Sequence, residues 1–488
     1  MRDTATTAAR SERRNARLAL ALACSLALPA VAQQRPPTVE ALQQRLEALE
    51  RRLGVAAEVA VEAGDGAGLA DLDQRLRVIE RRLELQQEEQ VARAKEAPII
   101  AVTDKGASFK SADGAYEVRL RALLQGDGRF YLSDDASPQN DTFLLRTARP
   151  IIEGSLGKLI GFRFTPEFAG DSASIVDAYA DLRFHPAYTL RVGKFTSPVG
   201  LERLQSSSAL SGVERALPSE LAPNRDIGVQ LQGDLAEGKF SYALGVFNGT
   251  VDGRDAVTNN PDNEFEYAGR VFLEPFRNDA NALSGLGFGI GANIGDTRGV
   301  GNNYLPRYRT PGQVQFFNYR ATVGADGERF RLSPQIYYYL GRFGVLGEYV
   351  ASRQDVIQTG GPNAGARAEL ENTAWQATAQ WVLTGEDAGY RGVVRPSNLF
   401  KPGEAGWGAF ELIGRYGVLD IDDDAFPVFA DPAASARRAR NWTLGLNWYL
   451  TGNLKLVVNY LETTFKGGAA ATDREDEKAI FSRLQVAF

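Results

Sequence analysis

The clearest pattern in the chain is an alternation of apolar and polar residues from Tyr116 onward. A period of two is typical of β-strands, because successive side chains point to opposite faces. Each run has a single apolar face, which is expected of strands with lipid on one side and water on the other. The pattern predicts sixteen strands, at residues 116–131, 143–156, 158–168, 175–184, 188–195, 226–235, 239–249, 263–275, 285–294, 329–340, 343–353, 372–384, 407–419, 440–450, 454–465 and 479–488.

The connections between these runs alternate between short turns and longer polar stretches. An even number of strands places the short turns at one end of a closed barrel and the long loops at the other. The third long loop, at about residues 196–225, is too long to be a mere connector, so we expect it to be functional. A soluble β-sandwich is the alternative. It would need a continuous apolar core, which strands with a single apolar face do not supply. The pattern therefore favours an all-β, 16-stranded antiparallel transmembrane barrel.

The last run alternates up to Phe488, and a terminal Phe on an amphipathic strand resembles the address that outer-membrane barrels present to their assembly machinery. We therefore expect a contact with that machinery through Phe488. Some side chains of this run are expected to face lipid: Phe481, Leu484 or Val486, and Phe488. The others are expected to face water or a neighbour: Ser482, Arg483 and Gln485.

A different period precedes the barrel. Two blocks of apolar residues are spaced by three and four residues, which predicts an α-helical coiled-coil segment. Their core positions are Val39, Leu42, Leu46, Leu49 and Leu53, and then Leu69, Leu72, Leu76, Ile79 and Leu83. Each block is short, so we favour a coil between subunits that a larger body already holds together. A hairpin of two helices within one chain is the alternative.

The first residues have the three parts of an export signal. A basic start is followed by an apolar stretch at residues 18–28, which is too short to span a bilayer, and by the small residues Ala30-Val31-Ala32. The predicted organisation is a signal peptide at 1–32, a periplasmic coiled-coil segment at 33–97 and an outer-membrane barrel at 98–488. The single cysteine, Cys24, lies within the signal.

Composition narrows the chemistry of the chain. It has 488 residues with 50 glycines, 17 tyrosines and 25 phenylalanines, which suit tight turns and aromatic girdles. Its one histidine, His185, stands beside Pro186 in a predicted turn, so we expect no catalytic residues, no metal site and no cofactor. No motif suggests nucleic-acid binding. The net charge is −6, which does not favour an anion channel, although selectivity depends on the few charges at the narrowest part of a pore.

Several blocks resemble the phosphate-selective porin family of outer-membrane channels. They include LRVGKFTSPVGLERLQSSS at 190–208, VERALPSELAPNRDIGVQLQG at 213–233, LPRYRTPGQ at 305–313 and GWGAFELIGRY at 406–416. The resemblance covers the barrel and none of the heptad segment. It implies a homotrimer of sixteen-stranded barrels embedded in outer-membrane lipid.

In that family the third loop folds inward and forms a constriction. The resemblance places its anion-binding residues at Arg203, Ser206, Ser207 and Arg215. It places candidate pore-lining residues at Arg146, Arg149, Arg225, Arg307, Arg309 and Lys401. Two departures bear on this expectation: Thr147 replaces one of a pair of arginines, and the loop carries the acidic residues Glu202, Glu214, Glu220 and Asp226. The alternative is that the arginines pair with these carboxylates and hold the loop to the wall.

The function expected from these observations is a passive, anion-selective channel for phosphate or related oxyanions in the bacterial outer membrane. The alternative is a general or differently selective diffusion porin of the same fold, with the coiled coil as a tether to the periplasm or the cell wall. An enzyme inside a barrel is disfavoured, because His185 lies away from any Gly-x-Ser-x-Gly context.

Overall fold

The computed structural model describes residues 44, 45, 48, 67–132, 139–170, 172–256, 260, 262–392 and 394–488. The chain divides into two compact units, Met1–Ala97 and Pro98–Phe488. Helix α1, Ala67–Glu96, carries the second heptad block. In the described part of the chain, no helix is both long and apolar enough to cross a membrane.

The first heptad block lies largely outside the described residues, as does the export signal. Arg45, from the region of that block, lies 2.7 Å from Glu80 of α1, from Nη2 to Oε1. A contact within one chain is what the helical hairpin predicts. The coiled coil between subunits stays a prediction.

The described residues of the second unit form twenty strands. In chain order, β1 to β20 are Ile99–Thr103, Gly106–Lys110, Tyr116–Tyr131, Thr142–Leu156, Ile160–Glu167, Ser174–His185, Tyr188–Thr196, Arg225–Leu235, Phe240–Phe247, Glu266–Leu273, Leu286–Gly299, Arg307–Arg309, Gln315–Asn318, Val323–Leu340, Phe343–Gln358, Arg367–Val382, Ala409–Asp420, Ala436–Tyr449, Leu454–Gly467 and Glu477–Ala487. Strands β3–β11 and β14–β20 pair antiparallel in order, and β20 pairs with β3 to close the sheet. The prediction of a sixteen-stranded barrel is confirmed.

Two hairpins were not predicted. Strand β2 pairs with the first residues of β3, and β1 pairs only with β2. The turn between β1 and β2 is fastened to the barrel, because Asn453 Nδ2 donates to Asp104 O at 2.6 Å and Arg395 forms an ion pair with Asp104 at 3.3 Å. Strands β12 and β13 form a second hairpin, inside the fifth long loop.

The outer face carries aromatic side chains at two levels. Towards the long-loop end, an upper band follows five consecutive strands, β15 to β19, and consists of Tyr349, Trp375, Tyr416, Trp442 and Tyr460. Towards the short-turn end lie Trp381, Phe410 and Trp448. Between them the outer face is aliphatic, with Leu412, Leu444 and Val458 at least 40% exposed. Two aromatic girdles that flank an apolar band mark the membrane-facing surface.

The expectation for Phe481 was wrong. Phe481 is fully buried inside the barrel beside Val213, and it shares its face of β20 with Arg483. The period of two requires this, since Phe481 and Arg483 are two residues apart. Leu484 and Phe488 do point outward. Ser482 was also placed on the wrong face, because it alternates with Phe481.

The lumen is partly filled by loops. The third loop, L3 (residues 197–224), contributes Leu217 and Leu221 to a buried apolar cluster. The fifth loop, L5 (residues 300–322), contributes Tyr308 and Phe317 to the same cluster. The cluster packs against inner-wall residues of β15 and β16. The loops therefore occupy the lumen on the β15–β19 side and leave space along the opposite wall.

Candidate functional site

L3 enters the lumen directly after β7. Gly200 has a φ of +86°, a left-handed conformation that favours glycine, and Val199 and Leu201 on either side are fully buried. The loop then meets side chains of the far wall. Asn459 Oδ1 accepts a hydrogen bond from Val213 N at 2.7 Å, and Lys455 Nζ donates to Leu210 O at 2.7 Å. L3 therefore crosses the lumen rather than covering its mouth.

Two buried carboxylates anchor L3. Glu202 accepts from Arg415 Nη2 at 2.6 Å and from Ala216 N at 2.8 Å. Glu214 accepts from Arg129 at 2.6 Å, from Arg146 at 2.8 Å and from Arg483 at 3.3 Å.

The Glu214 anchor joins three strands. Burial opposes the charge of Glu214, but Arg146, Arg483 and Arg129 outweigh burial and hold the pKa of Glu214 well below its usual range. These arginines lie on β4, β20 and β3, so one loop carboxylate ties L3 to the seam where the barrel closes.

Arg203 and Arg215 point into the loop itself. Arg203 is 8% exposed and donates to Ser219 O, within L3. Arg215 donates from Nη2 to Gln205 O at 2.8 Å. Burial lowers the pKa of Arg215 to about 9, helped by the neighbouring Arg203. Both side chains therefore donate hydrogen bonds to backbone carbonyls of L3.

A cavity of about 650 Å³ lies beneath L3, between the loop and the walls on the short-turn side. Ser206, Ser207 and Ser208 of L3 line it together with residues of β3–β10. Seven arginines line it: Arg121, Arg149, Arg163, Arg191, Arg225, Arg270 and Arg391. Asp177 and Asp234 are the acidic residues among its described lining.

Most of these arginines are paired with carboxylates of the wall. Arg149 lies 2.7 Å from Glu167 and also donates to Ser207 Oγ at 3.2 Å. Arg225 contacts Asp177 at 3.4 Å. Arg163, Arg191, Arg121 and Arg391 have similar partners. The cavity is therefore lined by guanidinium groups whose charge is partly compensated.

Arg270 differs from the other arginines of the cavity. Among the described residues, no carboxylate lies within 4.0 Å of its guanidinium. It donates to the neutral Gln335 at 2.9 Å and lies over the ring of Phe272, 4.4 Å from the centroid. Arg270 is therefore the best source of uncompensated positive charge in the cavity.

A second basic group lies on the long-loop side of L3. It consists of Arg307 and Arg309 of β12 and of Arg254, which lies between β9 and β10, and Arg309 N donates to Glu220 Oε2 of L3 at 2.9 Å. Burial lowers the pKa of Arg254, and the charges of Arg309 and Arg307 lower it further, while Glu220 opposes them. Basic groups therefore stand on both sides of L3.

The structure brings four of the sequence-derived candidates to the cavity: Arg149, Arg225, Ser206 and Ser207. Lys401 instead lies on an exposed turn, where it pairs with Glu404 at 3.2 Å. The sequence reading missed Arg121, Arg163, Arg191, Arg270 and Arg391. The inward position of the first four could have been predicted from the sequence, because each alternates with outward-facing residues on its strand.

Comparisons with known proteins agree with this architecture. The family described as phosphate-selective porin O and P matches residues 117–488. The chain belongs to this family. It is similar to Porin O of Pseudomonas aeruginosa, with 23% identity over 431 residues that cover 80% of this chain and 93% of that protein. The porin is thus a protein of the bacterial outer membrane, and its family and fold point to a channel rather than to an enzyme.

The chain was also compared with solved structures of other proteins, and one of them shows the same fold. The outer membrane channel DcaP of Acinetobacter baumannii aligns with a TM-score of 0.50 and 11% identity, over 78% of this chain and 99% of that one. An anion-selective porin from Comamonas acidovorans aligns with a TM-score of 0.46 and 13% identity, over 76% of this chain and all of that one. At 11% identity the likeness to DcaP concerns the fold alone.

Proposed function

We propose that the protein is a passive diffusion channel that favours anions and passes phosphate or related oxyanions. The observation that carries the proposal is the cavity beneath L3, with its seven arginines and the serines of the loop. Guanidinium groups offer a rigid fork of donors to an oxyanion, and hydroxyl groups add neutral donors. The family description supports the choice of substrate, because it refers to phosphate selectivity, and the name of Porin O supports a porin.

Transport requires that the anion also leaves the site. A site of unpaired arginines would hold an oxyanion too firmly, whereas conduction needs shared, weak binding. Partners such as Glu167 for Arg149 and Asp177 for Arg225 reduce the attraction. Arg270 then supplies the excess charge. The net charge of −6 is compatible with anion preference, because acidic residues outside the pore contribute little to its potential.

L3 is proposed as the constriction of this channel. The anchors at Glu202 and Glu214 hold the loop across the lumen, so that Ser206 and Ser207 face the passing ion. Arg203 and Arg215 contribute charge from within the loop and keep its shape. Arg307 and Arg309 attract anions before they reach L3, and Arg146 acts through Glu214.

The proposal also includes assembly. We propose a homotrimer in outer-membrane lipid, for which the apolar surface around β4 and β5, with the exposed Phe143 and Phe168, offers an interface. The heptad segment is proposed to join three chains, or to contact the cell wall. Phe488 is proposed as the contact with the assembly machinery.

The test is a reversal potential in planar bilayers with a chloride gradient, repeated with added phosphate. The full-length protein is expected to prefer chloride over potassium, and phosphate is expected to block the chloride current. R270Q should lower the anion preference by a factor of about two to five, since it removes one charge from the lumen. R270K keeps the charge and serves as the matched control.

The second candidate function is that of a general diffusion porin of the same fold. The pairing of most cavity arginines with carboxylates favours it. Cation preference, or a chloride current that ignores phosphate, would support this second function and contradict the first. Equal selectivity of R270Q, R270K and the unaltered protein would remove Arg270 from the proposal.

A further inference from the structure

A cluster of basic side chains lies on the outer face of the barrel, away from the lumen. It is formed by Arg438 and Arg440 on β18, Lys466 on β19 and Lys478 on β20, near the long-loop end. Arg440, Lys466 and Lys478 are exposed, and the residues next to them on their strands, such as Ala439 and Phe465, are buried. We call these four residues the outer basic patch.

The register of the strands brings the patch together. Arg438 lies opposite Lys466, and Arg440 lies opposite Thr464. Residues directly opposite one another on neighbouring strands have Cβ atoms about 5 Å apart, and diagonal neighbours about 7–8 Å. Arg438, Arg440 and Lys466 therefore surround the hydroxyl of Thr464 within the span of one small anionic group.

The charge of the patch is compensated incompletely. Arg438 pairs with Asp420. Within the part of the chain that the structure describes, Arg440 and Lys466 have no carboxylate within 4.0 Å. Other outward arginines near this end are neutralised: Arg353 contacts Glu369 at 3.2 Å and also Glu328. Two adjacent uncompensated cations therefore set this stretch of the rim apart.

The residues next to the patch indicate its height relative to the membrane. Directly below it lie Trp442 and Tyr460 of the upper aromatic band, whose ring centroids are 5.1 Å apart. At the same level Glu462 accepts a hydrogen bond from the Tyr460 hydroxyl at 3.1 Å and lies opposite Lys478, so the cations of the patch that face a phosphate are Arg440 and Lys466. Aromatic side chains of this kind sit at the level of the lipid headgroups. Below them the surface is apolar, with Leu444 57% exposed. The patch thus stands at headgroup height above a surface suited to acyl chains.

We propose that the outer basic patch binds the phosphorylated headgroup of a lipid in the leaflet at the long-loop end, with phosphate held by Arg440 and Lys466. An arginine fork and an ammonium group recognise a phosphate, while Thr464 adds a neutral donor. A free phosphate ion would use the cations alone, but an amphiphile would also cover the apolar surface below. This role is separate from conduction, because the patch faces away from the lumen.

The test is native mass spectrometry of the full-length protein in detergent, titrated with bisphosphorylated lipid A. R440Q/K466Q is expected to weaken binding at least about tenfold, since each cation near a charged lipid surface contributes to the affinity. R353Q, on the same rim but in a neutralised pair, should bind like the unaltered protein. Chloride conductance of R440Q/K466Q should stay unchanged, which separates this proposal from that of the channel.

A second test uses the unaltered protein and lipid A from which both phosphates have been removed. This dephosphorylated lipid should bind the unaltered protein as weakly as the intact lipid binds R440Q/K466Q. Inorganic phosphate alone should leave no bound species. Equal binding of the intact and dephosphorylated lipids would overturn the proposal. So would equal affinity of R440Q/K466Q and R353Q, or a bound species with inorganic phosphate that disappears in R440Q/K466Q.

Discussion

Glu214 shows how one residue of a loop can organise a pore. Its carboxylate gathers Arg129, Arg146 and Arg483 from three strands and fixes L3 against the closing seam of the barrel. A buried carboxylate is stable as an anion only with such partners. Because the negative charge of Glu214 compensates part of the charge of the three arginines, they add less positive potential to the pore than three unpaired arginines would.

We predict that E214Q loosens L3. Removal of one partner from a buried ion-pair network costs about 3 kcal/mol, so the loop should leave its position more often. Single-channel recordings should show larger and noisier conductance. The matched control is E404Q, which removes a carboxylate of an exposed pair with Lys401. Recordings of E214Q as quiet as those of E404Q would contradict the anchoring role.

The same residue sets the response to acid. The pKa of Glu214 is lowered in the folded protein, so its contribution to stability is present above the ordinary carboxyl pKa of about 4.3 and is lost as pH falls through the lowered value. Conductance should therefore stay quiet from neutral pH to about pH 5 and become noisy only in stronger acid.

At the scale of elements, β20 shows that alternation decides which side chains face the lumen and which face outward. Its inward residues are Glu477, Ala479, Phe481, Arg483 and Gln485, and its outward residues include Ile480 and Leu484. An apolar residue such as Phe481 is therefore not evidence of a lipid-facing position. It fills the interior beside Val213 of L3, and its ring meets Tyr131 edge-on at 5.7 Å.

We predict that F481A destabilises the barrel more than I480A does. Truncation of a fully buried Phe costs about 3–5 kcal/mol, whereas Ile480 loses only contacts with lipid and its neighbours. Both variants lie on the same strand, so they are matched for backbone pairing. The measurement is the temperature at which the folded form on a semi-native gel converts to the unfolded form. A larger shift for I480A would contradict the inward position of Phe481.

At the scale of the whole molecule, the chain combines a heptad segment and a barrel that form separate compact units. The barrel closes through strands of its own, since β20 pairs with β3. The hairpin of β1 and β2 is fastened to the barrel at Asp104. We infer that the barrel is complete without the residues before Pro98.

We predict that a protein lacking residues 33–97 keeps its channel. Its conductance and anion preference should equal those of the full-length protein, because the cavity and L3 lie within Pro98–Phe488. Loss of attachment to the cell envelope in the same protein would support a tether. Unheated full-length protein should run as a trimer on a gel, and a monomer at every temperature would count against the proposed assembly.

Much of this protein follows from local rules that the sequence obeys. The period of two predicted all sixteen barrel strands, with ends that differ from the observed ones by at most six residues, because a strand between lipid and water must alternate. Family blocks located L3, and with it Ser206 and Ser207. Arg149 and Arg225, which the resemblance offered as pore-lining candidates, lie at the cavity as well.

The tertiary structure decided what local rules do not contain. Loop residues have no period, so the direction of Arg203 and Arg215 depended on which carbonyls of L3 came within reach. The inward packing of L5 depended on an apolar cluster assembled from distant segments. The charge of each cavity arginine depended on its neighbours across strands. The sequence by itself determined the barrel and its faces, because strand geometry is local, whereas only the folded chain decided which charges remain uncompensated, because ion pairs join residues far apart in the sequence.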